Sequence, residues 1–156
     1  MLFQENATKQ GTVGLSIAIA FFSARGWTVS LPLVDGQPYD LIVDEYGSLK
    51  KVQVKTSRHL RQGSYKVALE SSYRTAEGSI RKPIDLNSFD YLFVLAGDGN
   101  VYLIPSECVG GRKAIRLGEK YSEYIMMNVS GFWKDKGNDR LSRTRRIDHM
   151  YTLGVT

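Results

Sequence analysis

Two short strand-like runs, residues 39–44 (Tyr-Asp-Leu-Ile-Val-Asp) and residues 49–56, lie on either side of Tyr46, Gly47 and Ser48. So short a glycine-containing connection between two such runs is a hairpin signal, and it makes the pair antiparallel neighbours. Pairing then sorts the side chains. Successive strand residues point to opposite faces, so Val52 and Val54 share one face of the second strand while Lys51, Gln53 and Lys55 share the other. The valine face enters a core. The opposite face presents an amide between two ammonium groups, next to the strand that carries Asp40.

The rest of the chain supplies elements to pack against this hairpin. Residues 12–25 read as a helix, with Val13, Ile17, Ala20, Phe21 and Ala24 at three- and four-residue spacing and Gly26 where a helix would stop. Residues 27–33 alternate like a strand interrupted by Pro32. Residues 65–71 read as a further strand, and residues 73–83, polar and basic, as a loop. Residues 89–96 form a nearly continuous apolar run, a buried strand that turns through Gly97, Asp98, Gly99 and Asn100 into another at 101–104. A thin stripe of Tyr121, Tyr124 and Ile125 makes 118–127 a short helix. This mixture is that of an α/β domain spanning residues 1–133. Residues 134–156 read as a basic C-terminal extension, with Lys134, Lys136, Arg140, Arg143, Arg145 and Arg146.

Composition narrows the setting. A chain of 156 residues that is 42% hydrophobic and 24% charged is expected to fold as one globular domain. The single cysteine, Cys108, allows no intrachain disulfide and no zinc site of its own. The start of the chain lacks the features of a secretory signal, and the most apolar run, residues 17–22, is far below the roughly 20 residues that span a bilayer. A cytoplasmic protein with no membrane partner is expected. A net charge of +5 favours polyanionic partners. Gly11 and Gly14 mimic part of a phosphate-binding loop, but no strand leads into them and no Gly-Lys-Ser/Thr follows, which excludes nucleotide binding of that kind.

Asp40, Gln53 and Lys55 are the residues with chemistry to offer. Mg2+ takes carboxylate and carbonyl oxygens plus several waters, and here Asp40 and the Val54 carbonyl are the expected metal ligands. A bound ion of this type acidifies its water and offsets charge on a phosphate. A lysine alongside, Lys55, stabilises the charge of the transition state. The same residues also fit a plainer reading, in which Asp40 opens a strand, Gln53 is solvated, and Lys51 and Lys55 are ordinary surface charges. Around them lies a set of expected DNA contacts: Lys51, Ser57, Arg58, His59, Arg61, Lys66, Arg74, Arg81 and Lys82. These types set register on a nucleic acid through its phosphates. His59 reads as a phosphate contact or a plain surface histidine rather than a general base, and Glu70, on the next strand, could face the metal but is expected to be structural.

With these motifs in view, the chain resembles the PD-(D/E)XK (restriction-endonuclease-like) nuclease superfamily. More closely, it resembles the bacterial group I intron homing endonucleases that place a Gln at the second acidic position. The resemblance rests on Lys9 to Gly14, Gly26-Trp27, Pro38-Tyr39-Asp40-Leu41-Ile42-Val43 and Val52-Gln53-Val54-Lys55-Thr56-Ser57. It continues weakly through Phe89-Asp90-Tyr91 and Tyr102-Leu103-Ile104-Pro105-Ser106. It implies a central mixed sheet flanked by helices and a Mg2+-dependent endonuclease for double-stranded DNA, assembled as a homodimer or homotetramer. In that pattern Asp40 binds metal, Gln53 is the variant acid position and Lys55 is the catalytic lysine. One position departs: Leu15 follows Gly14 where the family has Glu, with Glu5, Gln10 and Ser16 as candidate substitutes. Two other readings keep the scaffold, a catalytically impaired DNA-binding protein and a structure-selective nuclease such as a Holliday junction resolvase.

Overall fold

The structure, a computed structural model, describes residues 7–110 and 113–132. The basic extension at 134–156 lies outside the described residues. The chain opens with helix α1 (Ala7–Ala24), which begins ahead of the expected start. Its inward face is Gly14, Ala18, Phe21 and Phe22, whereas Ala20 and Ala24, expected on that face, are exposed. The difference has a physical cause. Gly14 adds nothing to an apolar pattern, yet it marks where helix and sheet come closest, since a Cβ there would collide with the Thr56 hydroxyl. At its end the helix closes in a Schellman arrangement. Trp27 N–H donates to the Phe22 carbonyl at 3.2 Å and Gly26 N–H to that of Ser23 at 3.0 Å, with Gly26 at φ +78°. The Trp27 ring stacks on Phe22 at 5.5 Å between centroids.

The strands follow as β1 (Thr28–Ser30), β2 (Leu41–Glu45), β3 (Ser48–Ser57), β4 (Leu60–Arg61), β5 (Ser64–Ala68), β6 (Glu70–Thr75), β7 (Gly78–Pro83), β8 (Tyr91–Ala96), β9 (Asn100–Pro105), β10 (Ala114–Leu117) and β11 (Ile125–Asn128). Six of them make a sheet of order β1-β2-β3-β8-β9-β11. It is mixed, because β3 and β8 run parallel while its other pairs are antiparallel. On one face α1 packs over Leu41, Val43, Val52, Phe93, Leu95 and Val101. On the other, Leu92, Val94, Tyr102 and Ile104 meet Val67, Ile115 and Leu117 of a smaller sheet ordered β10-β5-β4. Strand β8 is thus covered on both sides, as its unbroken apolar run predicts. Among the described residues no helix is long and apolar enough to cross a membrane.

Four expectations need correction. The strand across 27–33 shrinks to β1, for Pro32 cannot join a ladder and Leu31, Leu33 and Val34 are exposed. Residues 65–71 are two strands, broken where Leu69 gives its N–H to the Lys113 carbonyl and accepts from Ile84. The loop at 73–83 is instead the ribbon β6–β7, a two-stranded sheet paired from Glu70↔Pro83 to Thr75↔Gly78. Strand β7 is exposed at every residue, so no apolar alternation announced it. Residues 118–127 form a 3-10 turn (Glu119–Tyr124) with Tyr121 alone buried, then β11. One buried side chain, with Tyr124 at the edge of the core, is too little to hold an α-helix there.

Candidate active site

The β2–β3 hairpin brings Asp40 to Gln53. Its two turn residues, Tyr46 at φ +52° and Gly47 at φ +92°, are both left-handed, the geometry that closes a two-residue hairpin without splaying the strands. The Asp44 carboxylate accepts from the Gly47 N–H at 2.6 Å. This turn fixes the register from Glu45↔Ser48 to Leu41↔Val52, and one further step sets Asp40 opposite Gln53. A slip of one residue would send Gln53 into the core face. The backbone seals the step, with Asp40 N–H donating to the Val52 carbonyl at 2.8 Å.

Asp40 is held tightly. Its Oδ2 accepts from Gln53 Nε2 at 2.5 Å and from the Val54 N–H at 2.6 Å. Oδ1 takes no hydrogen bond among the described residues. Gln53, only 7% exposed, also donates to the Val54 carbonyl at 3.3 Å. Lys55 lies on the same face, two residues along, and its Nζ donates to the Glu70 carbonyl at 3.3 Å. Burial pushes the Asp40 carboxyl up from its ordinary value, against the opposing pull of the Val54 N–H, the Lys55 charge and Gln53. Burial likewise pushes Lys55 down, against the Asp40 charge. The plainer reading fails on burial for Gln53, which is not solvated, and for Lys55, which is half-buried, while Lys51 is exposed as that reading expects.

For a metal, the donor set is Asp40 Oδ1 and the Val54 carbonyl, both hard oxygens on one edge of β3. A hard divalent ion held by one or two carboxylates keeps water in its remaining positions, and these two oxygens fit a water-rich site of that kind. Among the described residues no group of three or more His, Cys, Asp or Glu converges as a metal cage. Leu15 packs into the apolar cluster between α1 and the sheet, on the face opposite Gln53 and Lys55. Ser16 spends its hydroxyl on the Thr12 carbonyl at 2.9 Å. The Gln10 carbonyl accepts from the Thr56 hydroxyl at 3.2 Å, and Glu5 lies outside the described residues. Glu70 meets Lys55 through its backbone carbonyl.

The expected DNA contacts divide. Lys51, His59, Arg61, Lys66, Arg81 and Lys82 are exposed and Arg58 half-buried. Lys51 Nζ sits 5.4 Å from the Tyr39 ring centre. Ser57 is 3% exposed and donates its hydroxyl to the Lys66 carbonyl at 2.5 Å. It ties β3 to β5 inside the protein and is not offered at the surface. The Arg74 side chain and His149 lie outside the described residues. One cation escaped the sequence reading: Arg116 pairs with Lys66 across β10–β5 and reaches the Arg61 carbonyl at 3.4 Å. Only the pairing of two strands far apart in sequence reveals it.

A mixed sheet with a leading helix, and an Asp, a Gln and a Lys converging on adjacent strands, define a nuclease scaffold. The PD-(D/E)XK endonuclease family model matches residues 5–127, and the chain belongs to that family. Among solved structures, a bacterial homing endonuclease, I-Ssp6803I, aligns with a TM-score of 0.63 at 29% identity, covering 73% of this chain and 79% of that one. No curated protein sequence matches the chain significantly. The likeness to homing endonucleases read from the motifs therefore holds at the level of the fold and the family.

Proposed function

We propose that the chain is a Mg2+-dependent endonuclease of the homing kind that hydrolyses phosphodiester bonds of double-stranded DNA at Asp40, Gln53 and Lys55. The observation that carries this reading is the Asp40 carboxylate, gripped through Oδ2 by Gln53 and Val54 and coupled to the Lys55 charge, with Oδ1 left open. Membership of the family supports the nuclease chemistry. The identity of the structural neighbour supports the homing kind.

Asp40 Oδ1 and the Val54 carbonyl would hold the ion, which would supply charge neutralisation at the phosphate and a more acidic water. Gln53 fixes the carboxylate rotamer, so the open oxygen faces one direction. Lys55 presents its ammonium to the phosphate oxygens and stabilises the charge that builds on them. Burial also makes it a stronger acid than a free lysine, so it passes a proton more readily. Exposed Arg61, Lys66 and Lys82 hold the DNA backbone. Cutting both strands takes two sites, which supports a homodimer or homotetramer.

A second reading, a DNA-binding protein of the same fold with impaired catalysis, is favoured by Leu15, which removes the helix carboxylate. Plasmid incubated with the protein and Mg2+ or Mn2+ separates the two. The proposal expects nicked and linear products that vanish in chelator; DNA bound without any cutting supports the second reading.

A further inference from the structure

The geometry points to the β6–β7 ribbon as a sequence-reading element that lies in the major groove of duplex DNA beside the site, with Arg81 on the face turned to the base edges and Ile80 and Lys82 on the other face of β7, Lys82 toward the flanking phosphates. This rests on the DNA reading of the site, and adds to it how a target would be chosen.

Among the described residues the ribbon is a sheet of two strands bonded to no other strand, and β7 is exposed along its whole length. Isolated two-stranded hairpins are marginal in water, so an element of this kind is completed by a partner. Its root is rigid. Leu69 is 1% exposed, donates to the Lys113 carbonyl at 2.8 Å and accepts from Ile84 at 2.9 Å, so both strands leave the core from fixed points. The root also touches the catalytic residue, since Lys55 Nζ donates to the Glu70 carbonyl. Whatever the ribbon grips is thereby held in register with the site.

The occupant follows from shape and charge. A two-stranded ribbon fits the major groove of B-DNA. Strands of six residues span roughly 20 Å, which is about six base pairs at 3.4 Å each. Strand β7 reads Gly-Ser-Ile-Arg-Lys-Pro, with two cations and no carboxylate. Arginine pairs bidentately with guanine, and Arg81 is exposed on its face of β7. A second protein copy adding a strand at the ribbon edge would use its backbone and have no need of adjacent cations.

Duplexes bound by the protein are selected from a randomised pool, with Ca2+ in place of Mg2+ so that binding is read without cutting. The parent is compared with the triple variant Ile80→Ser, Arg81→Ala, Lys82→Ala and with Arg81→Lys alone, alongside thermal midpoint and oligomer mass. The triple variant is expected to lose preference by about five-fold or more across one contiguous block of no more than about six base pairs, keeping it elsewhere. Arg81→Lys keeps the charge but not the planar fork, and is expected to relax one position while overall affinity persists. A parent that selects no sequence, or folded variants with the parent's preference at every position, overturns the inference. So does a change of oligomer mass with preference intact, which assigns the ribbon to a second copy. A parent that selects duplexes yet never cuts in Mg2+ defeats the nuclease reading alone.

Discussion

Burial drives the two charged groups of the site in opposite directions, Asp40 upward from 3.8 and Lys55 downward from 10.5, and their mutual attraction does not cancel it. The consequence for stability has a definite sign. A carboxyl whose folded pKa is raised makes no demand while protonated in both states, below 3.8, and its burial becomes unfavourable as pH rises through the folded value. Lysine is the mirror case: its contribution is present above 10.5 and is lost as pH falls through the lowered folded value. Burial thus acts against the charged form of both groups, a pattern found where a site is kept for chemistry rather than for stability. In chelator, Asp40→Asn is therefore expected to melt higher than the parent at neutral pH, by about 2–4 °C for each kcal/mol relieved. The gap should open as pH rises from 3.8. Equal melting temperatures throughout, or a lower one for the variant, would show that the carboxylate is structural.

Elements carry these groups to their positions, and the contact of α1 with β3 governs the strand that holds Gln53 and Lys55. Gly14→Ala drives a methyl into the Thr56 hydroxyl, which is itself bonded to the Gln10 carbonyl. Overpacking of this kind destabilises by about 1–3 kcal/mol. The double variant Gly14→Ala, Thr56→Ala should recover part of that in chemical denaturation, while additive losses would place the strain elsewhere. The sequence made the β2–β3 hairpin legible because turn chemistry and strand period agree there, and the convergence of Asp40 with Gln53 follows from that register. The phase of α1 was hidden because its closest contact is a glycine. The ribbon was hidden because exposed strands have no reason to alternate. Residues 118–127 misled because tyrosines at helical spacing need a partner surface: Tyr121 is buried, Tyr124 packs only at the edge of the core, and Ile125 is exposed.

At the scale of the molecule, the net charge of +5 becomes meaningful once pairing brings Arg61, Lys66 and Arg116 together on the small sheet. Removing one cation from a phosphate should lower the slope of log affinity against log salt by about 0.9. Arg61→Ala with Lys66→Ala is thus expected to flatten it by about two while sparing sequence preference, and an unchanged slope would remove these residues from the DNA path. The central claim concerns three side chains acting as one centre. Its most direct test is the single-turnover cleavage rate of a bound duplex in Mg2+ for the parent, Asp40→Ala, Gln53→Ala and Lys55→Ala, with affinity measured on the same DNA. The expected result is a loss of about a hundred-fold or more for Asp40→Ala and Lys55→Ala, a smaller loss for Gln53→Ala, and affinity little changed. Cleavage at the parent's rate by the Asp40 and Lys55 variants would contradict it.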